Sequence, residues 1–213
     1  EYDEHAGLIV SAKNNEYISL NGDIVSGKDA IKIDESLPVV SLSSSIQDKS
    51  CFGVICGAEE EHVGSDGLKK RTTGLGSFLS SQTKESGDNR VSINSLGEGA
   101  IWVTNINGSL ESGDYITTSN IPGYGQKQTS EFLANYTVAK ITMDCDFSRT
   151  KQMKRRVKKN GGNNVLDGNG NITWEDSGIM EDKCQYRFLL ADGSRITEED
   201  YLKRLLVGES VYV

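Results

Sequence analysis

Proline is nearly absent from this sequence, with 2 in 213 residues against 23 glycines. The shortage excludes proline-rich linkers and polyproline ligands, and the glycine surplus suits a chain that turns often. No apolar run approaches the roughly 20 residues that a bilayer-crossing helix needs, so no membrane span is expected. The first residues, Glu1-Tyr2-Asp3-Glu4-His5, lack the basic-then-apolar order of a secretion signal. The first residue is not methionine, as expected of a fragment or a processed product. Histidine occurs only as His5 and His62, neither with a serine or cysteine at a nucleophile-signature spacing. A serine or cysteine triad is therefore not expected. The cysteines, Cys51, Cys56, Cys145 and Cys184, fit neither a Cys-x-x-Cys pair nor a zinc ribbon. No metal and no other cofactor is expected, and reduced thiols are the default, with a disulfide left open. No glycine loop precedes a helix, since Gly97-Glu98-Gly99 lies between strand-like runs.

What is present is the balance of a globular chain: 36% hydrophobic and 25% charged residues. The net charge of −8 is unevenly spread. Residues 149–159 hold seven Lys/Arg and no acid, leaving −15 on the remainder. An acidic body repels phosphate backbones, so nucleic acid is not an expected partner. The basic segment carries no interleaved aromatics, and reads as a solvated helix or linker on the protein's own acidic surface.

Residues 7–145 read as about ten short strands separated by turns. Asn21-Gly22, Asn107-Gly108, Ser112-Gly113-Asp114 and Pro122-Gly123 are turn signals. Cys51–Cys56 reads as a fully buried strand, Ala100–Val103 as a strand, and Phe132–Met143 as a long strand or strand pair. Residues 58–89, polar and charged, read as a long loop or insertion. In 148–162, Met153 and Val157 lie four apart, which predicts a helix stopped by Gly161-Gly162. Residues 165–174 and 185–196 read as hairpins. The last helix is expected after Thr197 as N-cap, with Glu198 and Glu199 in its first turn and Tyr201, Leu202, Leu205 and Leu206 as its apolar face. Val211-Tyr212-Val213 starts a strand, which predicts further sequence beyond it. The expected fold is mainly β, a sandwich or barrel of short antiparallel strands, with a small α+β extension at the C-terminus. The expected domains are 1–147, a basic helix or linker over 148–162, and a hairpin-plus-helix extension over 163–213.

Asp167-Gly168-Asn169-Gly170-Asn171 resembles the start of a calcium loop. The loop needs glycine at its sixth place and glutamate at its twelfth, and Ile172 and Gly178 stand there, so a tight turn is expected. Ser65 with Lys69 has the spacing of a serine–lysine dyad, in a charged glycine-rich loop that would keep Lys69 hydrated. Trp102, Tyr115, Tyr124 and Trp174 are candidate platforms for stacking a sugar, or core aromatics. Three Asn-x-Ser/Thr triplets, at Asn107, Asn135 and Asn171, matter only where a glycosylation machinery is met.

The run Arg90–Val103, followed by Ser112-Gly113-Asp114-Tyr115-Ile116-Thr117-Thr118-Ser119 and Ile121-Pro122-Gly123, resembles a module of viral surface and tail-fibre proteins. It is similar to the intramolecular chaperone (autoproteolytic cleavage) domain family of phage pre-neck appendage proteins. The wording around Trp102 and Tyr124 is similar to structural proteins of large DNA viruses of algae. The resemblance spans about residues 1–147. It implies a β-rich fibre, spike or appendage module at the virion surface, a homotrimer whose partners are other virion structural proteins and host-surface glycans. In some members the domain cuts itself from the fibre. The related endosialidase-type cleavage motif is matched by Ser65, Asp66, Leu68 and Lys69, while Thr72 stands where an apolar residue belongs. The expectation is thus a structural virion module, with a self-cleaving chaperone using Ser65 and Lys69 as the first alternative. A carbohydrate-binding module using Trp102, Tyr124 or Trp174 is the second.

Overall fold

A computed structural model of the chain describes residues 4–19, 24–26, 36–63, 69–73 and 91–213. Of these residues, 42% lie in strands and 8% in helix, so the protein is mainly β with one C-terminal α-helix. No helix among the described residues is long and apolar enough to cross a membrane.

The first sheet is a curled antiparallel one of six strands: β1 (Ile9–Ser19), β2 (Ile24–Ser26), β3 (Ser36–Leu42), β4 (Cys51–Val63), β5 (Lys69–Thr73) and β6 (Val91–Asn94). β1 is central. Its start pairs with β4 on one side (Ile9↔Val54) and β3 on the other (Val10↔Leu42), and its end pairs with β2 (Ile18↔Ile24). The Asn21-Gly22 turn between those strands lies outside the described residues. The second sheet has the order β10–β8–β9–β7, built from β7 (Val103–Thr104), β8 (Tyr115–Thr118), β9 (Gly125–Lys127) and β10 (Thr137–Lys140). It is antiparallel except for the β7–β9 pair.

Central placement explains why β1 is an unbroken apolar run at its start. Leu8 and Val10 turn into one cluster with Ile55, Ile121 and Tyr124. Ile9, fully buried, turns to the second sheet, where Gly125 leaves no room for more: a Cβ there would stand 2.6 Å from Ile116 and 3.3 Å from Ile9. Ser119 stitches the segment that carries Ile121 and Tyr124. Its buried hydroxyl accepts from the Ile121 N–H at 3.1 Å and donates to the Tyr124 carbonyl at 2.6 Å. The expected Pro122-Gly123 turn forms, closed by the Tyr124 N–H on the Ile121 carbonyl, with Gly123 at φ +80°.

The C-terminal residues join the same core. β15 (Phe188–Leu190) is flanked by β16 (Arg195–Ile196) and β17 (Val211–Tyr212), and Leu189 is buried among Leu8, Val10 and Ile121. Asn105 holds the chain end, donating its N–H to the Val213 carbonyl at 3.1 Å.

Several segments differ from their sequence reading. Residues 151–157 form a strand, β11 (Lys151–Val157), and not a helix. Met153, Arg155 and Val157 also alternate, and the acids of a partner strand, β14 (Trp174–Asp182), lie opposite the bases. Cross-strand pairing thus outweighs the single i,i+4 pair. Cys51–Cys56 lies in β4 but only Ile55 is buried, with Phe52 and Cys56 exposed, because this strand keeps one face in water. Within 58–89, residues 59–63 of β4 pair with β5 as a hairpin. The strands expected at Ala100–Val103 and Phe132–Met143 shrink to β7 and β10.

Candidate functional site

The described part of the chain brings no three His, Cys, Asp or Glu side chains together as a metal site. Ser65 lies outside the described residues. Lys69 opens β5 as the backbone partner of Val63. Trp102 is half-buried against the core and donates its indole N–H to the Ala6 carbonyl at 2.8 Å. Tyr124 is 3% exposed, so its ring is a core member rather than a platform offered to a sugar. Of the three aromatics marked by sequence as stacking platforms, only Trp174 is exposed.

Trp174 sits on the feature that stands out most in this molecule. β11 and β14 form a two-stranded ribbon, and no third strand pairs with either among the described residues. Lys151 to Met153 pair with Asp182 to Met180. Beyond a bulge at Gly178, which takes φ +78°, Arg155 to Val157 pair with Asp176 to Trp174. The ribbon extends through the short hairpin of β12 (Lys159–Asn160) and β13 (Asn163–Asn164) to the turn at Asp167. There the Asp167 carboxylate accepts the N–H groups of Asn169 and Asn171 at 2.8 and 2.9 Å, which hold its carboxyl below the usual range. This is the tight turn the sequence implied.

Residues directly opposed across a ladder share a face, and strand neighbours alternate. β11 carries no extra residue of its own, so Met153 and Val157 share a side, and their partners Met180 and Trp174 lie with them. The other side carries Lys154, Arg156, Glu175 and Glu181. There Arg156 Nε donates to Glu175 at 2.9 Å and Lys154 Nζ stands 3.4 Å from Glu181. The ribbon is therefore amphipathic, with its ion-paired side satisfied within the chain. The apolar side is in water: Met153, Met180 and Trp174 are all exposed. A lone two-stranded ribbon is marginal in water, and a contiguous exposed apolar patch marks an interaction surface.

A second such surface lies on α1 (Glu198–Leu206). Thr197 caps it as expected, its hydroxyl accepting the Asp200 N–H at 3.1 Å. Only Tyr201 of the predicted apolar face turns to the body, where it packs on Phe188 with ring centres 4.8 Å apart. Leu202 and Leu205 are half-exposed and Leu206 is 87% exposed, a leucine stripe facing solvent. Arg149 ties this helix to the base of the ribbon. Its guanidinium pairs with Asp182 at 3.0 Å and with Glu198, and the two carboxylates raise its pKa further while Asp182 is held below the usual carboxylate range.

A hollow of about 200 Å³ is lined by Leu8, Leu42, Pro122, Tyr124, Asp192 and Arg195. Arg195 is already engaged there, donating to the Glu4 carbonyl at 2.9 Å. Sequence reading missed the ribbon face, although the alternation Met153-Arg155-Val157 was its signal. No protein-family model, curated protein or solved structure matches this chain.

Proposed function

We propose that this chain is a structural module of a viral fibre, spike or appendage that folds and trimerises at the particle surface. The carrying observation is exposed apolar surface in its C-terminal part. Among the described residues sixteen large apolar side chains are exposed, against ten apolar side chains buried in the core, and eleven of the sixteen lie between Met143 and Val207. Single exposed apolar residues are ordinary, but a ribbon face and a helix stripe are contiguous, and association is what covers them. Open ribbon edges point the same way, since unpaired strand edges are templates for another chain. The resemblance of residues 90–123 to fibre and appendage modules supplies the viral context and the number three.

Light scattering of the purified chain over a range of concentrations tests the reading. The expected mass is three times 23.2 kDa. A mass of one chain at all concentrations overturns it.

A further inference from the structure

The two outward apolar surfaces fit one another across protomers. We propose that the ribbon face of Met153, Val157, Trp174 and Met180 packs on the leucine stripe of α1, Leu202, Leu205 and Leu206, of a second copy of this chain. The inference rests on the trimer reading above and names its interface. Each protomer presents both halves, and within one chain neither covers the other, because both are exposed.

Charge selects this pairing over its rivals. Residues 149–183 carry eight Lys/Arg and five Asp/Glu, a net of +3 in a chain of net −8, which leaves −11 elsewhere. Residues 198–209, the helix and its exit, carry four acids and two bases, a net of −2. Ribbon on ribbon sets like charge against like, and so does helix on helix. Ribbon on helix sets opposite charges together around an apolar centre, the arrangement that gives partner choice and register. The groups in place to meet are specific. Lys151 and Arg155 share the apolar side of β11 with Met153 and Val157. Glu198 and Glu199 stand four and three residues before Leu202, on the stripe's side of the helix. Because the contact joins different patches on the two copies, it is head-to-tail, and head-to-tail contacts close as rings. The Arg149 clamp between Asp182 and Glu198 fixes the root of the ribbon relative to α1 in each chain, so one geometry repeats at every junction.

The test uses the whole chain and two exposed positions, Met180→Glu and Leu206→Lys, with circular dichroism confirming that each variant folds. By light scattering the wild type has the mass of three chains. Each single variant weakens association by roughly tenfold or more and shifts the mass toward one chain, as expected for charge placed in the buried centre of an interface. The double variant Met180→Glu/Leu206→Lys sets opposite charges face to face and regains mass relative to either single variant. A wild-type trimer that Leu206→Lys leaves intact overturns the ribbon-on-helix contact while the trimer stands, and so does a double variant with no recovery. A wild type of one chain overturns both readings and assigns the ribbon face to a different macromolecule.

Discussion

The guanidinium of Arg187 lies over the indole of Trp102, 3.6 Å from the ring centre. Two further bonds fix it: its Nη1 donates to the Tyr124 hydroxyl at 3.2 Å and its Nη2 to the Glu4 carbonyl at 3.1 Å. One side chain thus joins the strand-bearing C-terminal segment to the body at three points. Arg187→Ala removes a cation–π contact and two charge-assisted hydrogen bonds together, and is expected to cost about 1–3 kcal/mol in urea unfolding. Arg187→Lys keeps a cation for the ring but loses the planar fork, so its cost falls between the wild type and alanine. Equal stability of all three proteins contradicts the clamp.

Asp48 makes the corresponding join between the two sheets. Its carboxylate accepts from Ser11 Oγ at 2.5 Å, from Ser50 Oγ at 2.6 Å and from the Ser50 N–H at 2.8 Å, while its own N–H donates to Thr118 Oγ1 at 2.8 Å. Partial burial pushes the carboxyl up, but the hydrogen bonds from Ser11 and Ser50 outweigh it and hold the group below its ordinary 3.8. A lowered folded pKa contributes stability above the unfolded value and loses it as pH falls through the folded one. The wild type therefore loses stability below about pH 3.8 more steeply than Asp48→Asn, which cannot titrate there. Near pH 7 Asp48→Ala costs about 1–2 kcal/mol. Parallel acid-denaturation curves for wild type and Asp48→Asn contradict the assignment.

Cys51 governs the alkaline side. Burial pushes its thiol from 9.0 up to about 11, with the nearby Asp48 carboxylate adding to the rise and a backbone hydrogen bond at Gly53 opposing it. A raised folded pKa gives stability that is complete below the unfolded value and is lost as pH climbs through the folded one. The fall runs from pH 9.0 to about 11, and the difference between wild type and Cys51→Ala measures it. At pH 8 the exposed Cys56 reacts with iodoacetamide while Cys51 is protected, because the thiolate is the nucleophile. Equal labelling of the two contradicts the burial of Cys51.

Turn chemistry and strand composition made the mainly β fold legible. Pro122-Gly123, Asp167–Asn171 and the Thr197 cap act through backbone geometry within a few residues, so sequence alone carries them. The basic segment was not legible in the same way. Met153 and Val157 satisfy the period of a helix and of a strand alike, and the partner that decides, Trp174–Asp182, begins 17 residues beyond Val157. The Arg187 clamp is further removed still, since Glu4, Trp102 and Tyr124 meet it only through the tertiary fold. Trp102, Tyr124 and Trp174 looked equivalent as exposed-or-core aromatics until the sheets buried one, half-buried another and left Trp174 on the ribbon.

That difference makes Trp174 a reporter of whatever covers the ribbon face. It is 53% exposed in the single chain, so iodide quenches its fluorescence freely in a dissociated protomer. In the assembled trimer the ring is covered and quenching by iodide drops. The Trp174-specific part is the difference between wild type and Trp174→Phe, since Trp102 is shielded in both. Dissociation by Met180→Glu then restores quenching to the single-chain value. Unchanged quenching on dissociation places Trp174 outside the interface. A glycan that lowers quenching in the intact trimer assigns the ring to carbohydrate stacking instead, because a ring already packed between protomers has no free face to offer a sugar.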